Sequence, residues 1–425
     1  MELGNDLRYA WRQMRRNPGF ACAAILTLAL GIGATTTMFS VVDQVLLRPL
    51  PFAHPSELVS ISEASYDKDA ASSSGAISLP DAQDWQTRSH TLQSVAYFTF
   101  NMPIVGGIAQ PRSEAQLITS TNFLTMLGVQ PALGRGFAAK ESQGAATHVV
   151  VLGAEAWHTL FNSDPKVVGR VIQLNGTPNT VIGVMPESFR FQGGSDYLFS
   201  PLDISNKDLQ DRRSGMLSVL GRLHPGNTVD DAMRELAGIK QQNLRAYPGK
   251  ERDNRVLVED YSRFLTRNVR SGLLALNGLV LAVWLLATIN VAGLLLTRTQ
   301  GRRREIAVRA AVGATSTRLL RQFLVESLLL SLVGAGLGLA ITSAALRISR
   351  AYLANTFQNG DMIHIDTSVC VYALIASCVS ALIFGIIPAL QAARLPILNG
   401  LREGSAGSGT SRSQALVRDT IVTVE

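Results

Sequence analysis

Histidine and cysteine are the side chains best suited to bind a metal or to act as a nucleophile, and this sequence has six histidines and three cysteines. None of the histidines falls in an H-E-x-x-H pair or another spacing typical of metal ligands. No G-x-S-x-G turn and no Cys/His pattern indicates a catalytic nucleophile. We therefore expect neither a metal site nor hydrolase chemistry.

ATP hydrolysis would require a loop of the form G-x-x-x-x-G-K-[ST], whose backbone amides hold the phosphates. The sequence contains no such loop, so we predict no nucleotide or other cofactor on this chain. Its glycine-rich runs, which include Gly31, Gly33, Gly334 and Gly338, lie instead within apolar segments. Small residues in such segments allow helices in a membrane to approach closely, so we predict a packing role for these four glycines.

Two other residues in apolar segments have properties that predict a role in movement. Glu326 lies near one end of the third segment, where an ionisable side chain is costly and often functional. The alternative is a carboxylate that stays hydrated beside Arg321. Pro388 removes a helix hydrogen bond and predicts a kink in the fourth segment, either as a fixed bend or as a hinge.

Four nearly uncharged stretches are long enough to cross a hydrocarbon core, which takes about 20 residues of helix. They are residues 18–42, 271–297, 327–346 and 367–393. The first could also be read as a secretory signal, because basic residues precede it. Three later segments of full length favour a retained helix. We predict a multi-pass membrane protein in contact with the lipid bilayer.

The positions of the charged residues predict the orientation, since Lys and Arg beside a span prefer the cytoplasm. Residues 1–17 carry four Arg and two acids, and residues 298–321 carry seven Arg and one acid. Residues 43–270 carry 22 basic and 23 acidic residues, so the net charge of +7 lies outside them. We therefore place both termini, loop 298–326 and tail 394–425 in the cytoplasm, and segments 43–270 and 347–366 outside it. The basic character is a topology signal, and we expect no nucleic-acid partner.

Local patterns predict the elements on either side of the first span. Residues 1–17 form an amphipathic helix on the inner leaflet, because Leu7, Trp11 and Met14 recur at helical spacing; a basic flank without fixed shape is the alternative. In segment 43–270, residues 149–152 are typical of a buried strand, Asn175-Gly176 predicts a hairpin turn, and Thr228 predicts a helix start. All cysteines lie in the spans, so an α+β domain without disulfides is expected.

A series of runs along the chain carries a family resemblance. The runs are residues 6–10 (DLRYA), 17–20 (NPGF), 26–33 (LTLALGIG), 46–51 (LLRPLP), 127–135 (LGVQPALGR), 174–176 (LNG), 183–186 (GVMP), 221–223 (GRL), 303–310 (RREIAVRA), 313–314 (GA), 321–322 (RQ), 326–327 (ES) and 385–390 (GIIPAL). With these runs the sequence resembles the MacB/FtsX-like family of ABC permeases, and within it one half of the duplicated orphan permease group.

The resemblance implies four transmembrane helices and, at 43–270, an α+β extracytoplasmic domain similar to the MacB periplasmic core. It also implies a permease subunit in the plasma (inner) membrane. A separate cytosolic ATPase would bind the ATP and drive the extracytoplasmic domain, for export or extraction of a drug, a peptide or a lipoprotein. The residues that would dock on the ATPase are Arg304, Glu305, Ile306, Arg309, Gly313 and Ala314. Two alternatives are an FtsX-like transmitter that transports nothing and a membrane-anchored binding or enzyme module.

The sequence departs from the duplicated group in two respects. Chains of that group carry a second set of spans, which is absent here, and Gly293 stands where they tend to carry a polar Asn. We therefore expect a second permease subunit, either as a homodimer or as a hetero-pair with a separately encoded half. A truncated, inactive half is the third alternative.

The predicted topology can be tested with reporter fusions. A reporter that is active only in the periplasm should be active when fused after Ser205 and inactive when fused after Gly313, because the two sites lie on opposite sides of the membrane. Reporter activity at matched expression levels is the measurement. The reverse pattern would contradict the orientation.

Overall fold

The structure is a computed structural model that describes residues 2–65, 75–108, 110–192, 194, 197–301, 316–356 and 366–393. The chain divides into two compact units. The helical unit comprises Met1–Leu47, Val269–Ala354 and Gly360–Glu425. The sheet unit is formed mainly by Arg48–Asn268, close to the predicted 43–270.

The helices and strands are numbered in chain order. The helices are α1 Glu2–Arg16, α2 Pro18–Val42, α3 Leu79–Arg88, α4 Phe123–Met126, α5 Ala154–Phe161, α6 Val229–Ala246, α7 Tyr261–Gly301, α8 Ser316–Thr356 and α9 Thr367–Ala393. The strands are β1 Leu58–Ser65, β2 Leu92–Asn101, β3 Ile104–Gly106, β4 Arg112–Ser113, β5 Gln116–Thr119, β6 Leu133–Gly134, β7 Val149–Leu152, β8 Val171–Leu174, β9 Thr177–Val184, β10 Leu198–Pro201, β11 Ser218–Leu223 and β12 Asn254–Asp260.

The structure confirms the four apolar helices predicted to be long enough to cross a membrane. The candidate spans are Pro18–Leu47, Tyr261–Arg298, Leu320–Ile348 and Thr367–Ile386. Helices α7 and α8 have 41 residues each, so they continue well beyond the apolar windows 271–297 and 327–346. Neither contains a proline, and nothing in their sequences stops the helix where the apolar residues end. As a result, residues 347–356 of the predicted loop 347–366 belong to α8.

The sheet unit is built on one mixed sheet, which confirms the predicted α+β architecture. The strand order is β12-β1-β11-β2-β5-β10-β7-β9-β8-β3-β4, with β6 paired to β9. Most neighbours are antiparallel, whereas the pairs β10–β5 and β7–β9 are parallel. The predicted strand 149–152 is β7. The hairpin β8–β9 turns at Asn175 and Gly176, which both have positive φ as a two-residue I′ turn requires.

The central strands separate two apolar cores. On one face, helices α3 and α6 cover the sheet with Trp85 and Leu236 in a buried cluster. On the other face, Phe98, Phe123 and Phe191 form a second cluster with edge-to-face and tilted ring contacts. Helix α6 begins as predicted, because the Thr228 side chain accepts a hydrogen bond from the Asp231 amide and the Asp231 carboxylate reaches back to Thr228.

A buried ion cluster lies between the sheet and its two covering helices. Lys240 of α6 is only 1% exposed, and its Nζ lies 2.7 Å from Glu63 Oε1, 3.1 Å from Asp81 Oδ2 and in hydrogen-bond contact with Glu251. Burial alone would lower the pKa of Lys240, but the charges of Glu63 and Asp81 outweigh it and raise that pKa. Burial raises the pKa of Glu63 and of Glu251. Lys240 thus balances these buried carboxylates together with Arg212, which lies 3.1 Å from Asp81 Oδ1 and 3.3 Å from Glu251 Oε2.

Replacing Lys240 with Met should strongly destabilise the sheet unit, because the buried Glu63 loses its counter-charge while Asp81 and Glu251 keep only Arg212. A loss of about 3–5 kcal/mol is expected for such a break. The loss of stability is measured by hydrogen exchange on the full chain, where the backbone amides of α6 (Val229–Ala246) should exchange faster than in the wild type. The exposed Lys207→Met is the matched control and should exchange like the wild type. Wild-type protection in K240M would contradict the structural role of the cluster.

Candidate functional site

Helices α2 and α8 touch through their backbones at two glycines. A Cβ added to Gly33 would lie 3.0 Å from the carbonyl oxygen of Gly338, and one added to Gly338 would lie 3.0 Å from the nitrogen of Gly33. One turn earlier on α8, a Cβ on Gly334 would lie 2.9 Å from Leu28 Cβ. These distances leave no room for larger side chains. The structure therefore brings three of the four predicted packing glycines into one helix contact.

Thr342 adds hydrogen bonds across the same helix contact. Thr342 is fully buried, and its hydroxyl donates to the carbonyl oxygen of Gly33 at 3.0 Å. Thr37 of α2 donates to the Thr342 hydroxyl at 3.2 Å. The donation to Gly33 depends on the close backbone approach, since a side chain at residue 33 would separate the two helices.

The fourth glycine, Gly31, faces a different helix. A Cβ on Gly31 would lie 3.2 Å from Ala287 Cβ and 3.4 Å from Trp284 Cδ1, both on α7. Helix α2 therefore presents Gly31 to α7 and Gly33 to α8, two residues apart on different sides of the helix.

Hydroxyl groups join α9 to both of its neighbours. Trp284 of α7 donates its indole N–H to the Ser380 hydroxyl at 3.0 Å. Ser331 of α8 donates to the backbone oxygen of Ser377 at 2.8 Å, and the two serine hydroxyls are 3.0 Å apart. Such groups have no water to bond in a hydrocarbon core, so they favour the helix arrangement that pairs them. Sequence reasoning missed these residues; Ser and Thr inside apolar spans were the available signal.

Glu326 forms part of a charged cluster that joins four helices. Its carboxylate is buried at 4% exposure, and its Oε1 lies 3.5 Å from Arg298 Nη1 at the end of α7. Arg298 also donates to the backbone oxygen of Gln13 at 3.4 Å and lies over the Phe20 ring at 4.6 Å. We call Arg298, Glu326, Phe20 and the Gln13 carbonyl the Arg298 cluster. The carboxylate faces Arg298, a residue that sequence reasoning missed, and the role of Glu326 in movement stays a prediction.

The structure tests neither the predicted kink at Pro388 nor the predicted docking residues. Pro388 lies within α9, which continues to Ala393, and its kink stays a prediction. The predicted docking residues 304–306, 309, 313 and 314 lie outside the described residues. The flanking helices α7 and α8 end and begin on either side of them, at Gly301 and Ser316.

The contacts of the helical unit hold its helices to one another. Among the residues that the structure describes, no group of three or more His, Cys, Asp or Glu side chains is placed to hold a metal ion. Helix α2 packs against α7 and α8, and α9 forms hydrogen bonds with α7 and α8. The Arg298 cluster joins α1, α2, α7 and α8.

Comparison with known proteins gives two family matches. A model described as the MacB-like periplasmic core domain matches residues 21–239, and one described as the FtsX-like permease C-terminal domain matches residues 277–397. The first match supports the core domain expected from the resemblance, and the second covers the last three candidate spans.

Curated relatives are export proteins. The pyoverdine export ATP-binding/permease protein PvdT of Pseudomonas syringae pv. syringae (strain B728a) is 27% identical over 379 residues, which cover 84% of this chain and 54% of PvdT. The macrolide export ATP-binding/permease protein MacB of Salmonella paratyphi A (strain ATCC 9150 / SARB42) is 28% identical over 285 residues, 66% of this chain and 42% of that protein. The chain spans about half the length of the curated relatives it matches.

Solved structures of similar domains have low sequence identity. The periplasmic region of MacB from Actinobacillus actinomycetemcomitans is 16% identical, with a TM-score of 0.38, over 51% of this chain and 94% of that one. The extracellular domain of the noncanonic ABC-type transporter YknZ from Gram-positive bacteria is 11% identical, with a TM-score of 0.37, over 48% of this chain and 99% of that one.

The glycine contact can be tested with two substitutions on the same helix. Gly338→Leu should separate α2 from α8, because the added side chain meets the Gly33 backbone. Gly336→Leu is the matched control, since nothing lies within 4 Å of a Cβ added at Gly336. Resistance to unfolding by SDS in mixed micelles should fall markedly for G338L and stay near wild type for G336L. Equal behaviour of the two variants would contradict the contact.

Proposed function

The chain belongs to the MacB/FtsX-like family of ABC permeases, and we propose that it couples ATP hydrolysis by a separate cytosolic ATPase to movement of its sheet unit. Family membership follows from the core-domain model, which matches residues 21–239 of the 425 in this chain. The protein is therefore a multi-pass membrane protein and an ABC transporter permease. The partner ATPase, the coupling and the direction of transport are the proposed parts.

The Arg298 cluster is the observation that carries this proposal. Along the chain, Arg298 is four residues before segment 302–315 and Glu326 is eleven residues after it, and this is the segment in which the family resemblance places the docking residues. Arg298 and Glu326 are on the two helices that flank this segment, and Gln13 and Phe20 are on the two helices that precede it in the chain. A force applied to the segment by an ATPase would reach all four helices through the Arg298 cluster.

Helix α7 provides the path to the sheet unit. It is one continuous helix of 41 residues, or roughly 60 Å at 1.5 Å per residue. Its first residue, Tyr261, is fully buried in the aromatic cluster with Phe191, and Phe264 packs against the same cluster. Its last turn carries Arg298. A continuous helix is stiff enough for a displacement at one end to be felt at the other.

The charge distribution supports the proposed setting. With both termini and residues 302–315 in the cytoplasm, the docking segment faces a cytosolic ATPase and the sheet unit lies outside a plasma (inner) membrane. The printed names of the relatives describe export of pyoverdine and of macrolides. For this chain we propose export or extraction of a substrate, with a second permease subunit that completes the helix bundle as a homodimer or hetero-pair.

The coupling can be tested on the full chain purified from native membranes with its copurifying ATPase. Arg298→Met should leave ATPase binding intact but reduce ATP hydrolysis about fivefold or more, because the ion pair between Arg298 and Glu326 is lost and the tie between α7 and α8 is weakened. The swapped pair Arg298→Glu with Glu326→Arg should restore the ion pair and recover part of the activity, because a carboxylate at residue 298 cannot donate to the Gln13 carbonyl. ATP hydrolysis per bound ATPase is the measurement. Unchanged hydrolysis in R298M would contradict a transmission role.

Docking is separated from transmission by a second set of variants. Glu305→Lys and Gly313→Leu should reduce the amount of ATPase that copurifies, while insertion, read from the topology reporter, stays normal. If both variants bind and stimulate the ATPase like the wild type, the docking site lies elsewhere. A particle that never recruits an ATPase under any condition would overturn the proposed function as a whole.

A further inference from the structure

A cavity of about 240 Å³ lies in the sheet unit, on the face of β1, β2 and β11 opposite to α3 and α6. One wall is aromatic and consists of Phe98 and Phe100 from β2 with Tyr261 and Phe264 from the first turn of α7. Phe100 is 50% exposed, so this wall reaches the surface. The cavity therefore continues the buried aromatic cluster outward instead of forming a separate pocket.

Serines create the space. Ser60 and Ser62 alternate with Val59 and Ile61 along β1, so they share a face with Leu58, and Ser218 shares that face with Leu220 on β11. Larger apolar residues at these positions would extend the core and fill the cavity. Ser60 and Ser62 are only 6% and 7% exposed and line the cavity. Neither hydroxyl makes a hydrogen bond to another residue within the described part of the chain.

A strained residue adds a polar group to the same cavity. Gln192 has a φ of 49°, a left-handed conformation that costs energy for a residue other than glycine. Its side-chain amide lines the cavity and donates to the Tyr261 hydroxyl at 3.4 Å. Strain of this kind persists where the surroundings hold it, and it is concentrated at ligand sites.

We propose that this cavity binds a small, uncharged aromatic molecule that carries a hydroxyl group. The described lining residues include no Asp, Glu, Lys, Arg or His, so a charged ligand would lose its hydration without gaining a counter-charge. The aromatic wall suits a ring, and the hydroxyls of Ser60 and Ser62 suit a polar substituent. A cavity of roughly 150 Å³ holds benzene, so this one has room for a ring with a few further atoms.

The ligand would contact the helix that enters the membrane. Tyr261 and Phe264 belong to the candidate span Tyr261–Arg298, so an occupant would lie against the first turn of α7. Only an effect of the ligand on ATP hydrolysis rests on the proposed function. Binding itself needs no ATPase, so its failure is distinguishable from failure of the coupling.

The test is a fluorine NMR titration of the full chain in lipid nanodiscs, with empty nanodiscs as the reference for partition into lipid. The probes are 4-fluorophenol, 4-fluorotoluene without the hydroxyl, and the charged 4-fluorobenzoate. 4-Fluorophenol should bind saturably and about fivefold more tightly than 4-fluorotoluene, as expected for one or two added hydrogen bonds. 4-Fluorobenzoate should show no saturable binding.

Substitutions locate the site. Ser62→Leu should weaken 4-fluorophenol binding at least tenfold, because the leucine side chain fills the cavity. Ser60→Ala, which removes one oxygen and leaves the fold undisturbed, should weaken it roughly threefold. Ser113→Leu and Ser113→Ala are matched controls at an exposed serine of β4 outside the cavity, and they should bind like the wild type.

Three results would overturn the proposal. They are no saturable 4-fluorophenol binding above that of empty nanodiscs, wild-type affinity in Ser62→Leu, and 4-fluorobenzoate binding as tight as that of 4-fluorophenol. If Ser62→Leu fails to fold, Ser60→Ala decides. Wild-type 4-fluorophenol affinity in Ser60→Ala would mean that the serine hydroxyl does not recognise the ligand and would overturn the proposal. Weaker binding in Ser60→Ala with wild-type binding in the Ser113 controls would support it.

Discussion

Inside a bilayer the hydrophobic effect does not draw helices together, so the helical unit depends on how closely α2 can approach α8. The absence of side chains at Gly33 and Gly338 permits backbone contact, and that contact brings Thr342 within reach of the Gly33 carbonyl. Other contacts join the remaining helices. Helix α7 packs against Gly31 on another side of α2, and α9 closes the arrangement through Ser377 and Ser380.

The sheet unit depends on a different constraint, the two-sidedness of its central strands. Alternate residues of β1 point to opposite faces, so Glu63 lies with Lys240 under α6 while Ser60 and Ser62 line the cavity on the other side. One face is closed by helices and a buried ion cluster. The other face packs around aromatic rings, and the small serine side chains leave a cavity there. The buried ion cluster and the proposed ligand site therefore lie on opposite faces of the same strands.

Helix α7 has a role in both units. Its first turn contributes Tyr261 to the aromatic cluster and to the cavity wall, and its last turn contributes Arg298 to the ion pair with Glu326. One element thus carries a residue of each site that we associate with function. Because the helix contains no proline, its hydrogen bonding is uninterrupted, and a long continuous helix is the simplest mechanical link that a chain can form.

The sequence by itself determined what local patterns encode. Apolar length determined the four spans, Asn175-Gly176 the hairpin, Thr228 the start of α6, and glycine spacing the residues suited to helix packing. Only the tertiary structure decided which helix each glycine meets, that Arg298 lies against Glu326, and that Ser60, Ser218 and Tyr261 share a cavity. The physical reason is that periodicity defines a face of one element. The partner of that face is selected by shape and by polar groups on residues far away in the chain, such as Gly33 and Thr342, which are 309 residues apart.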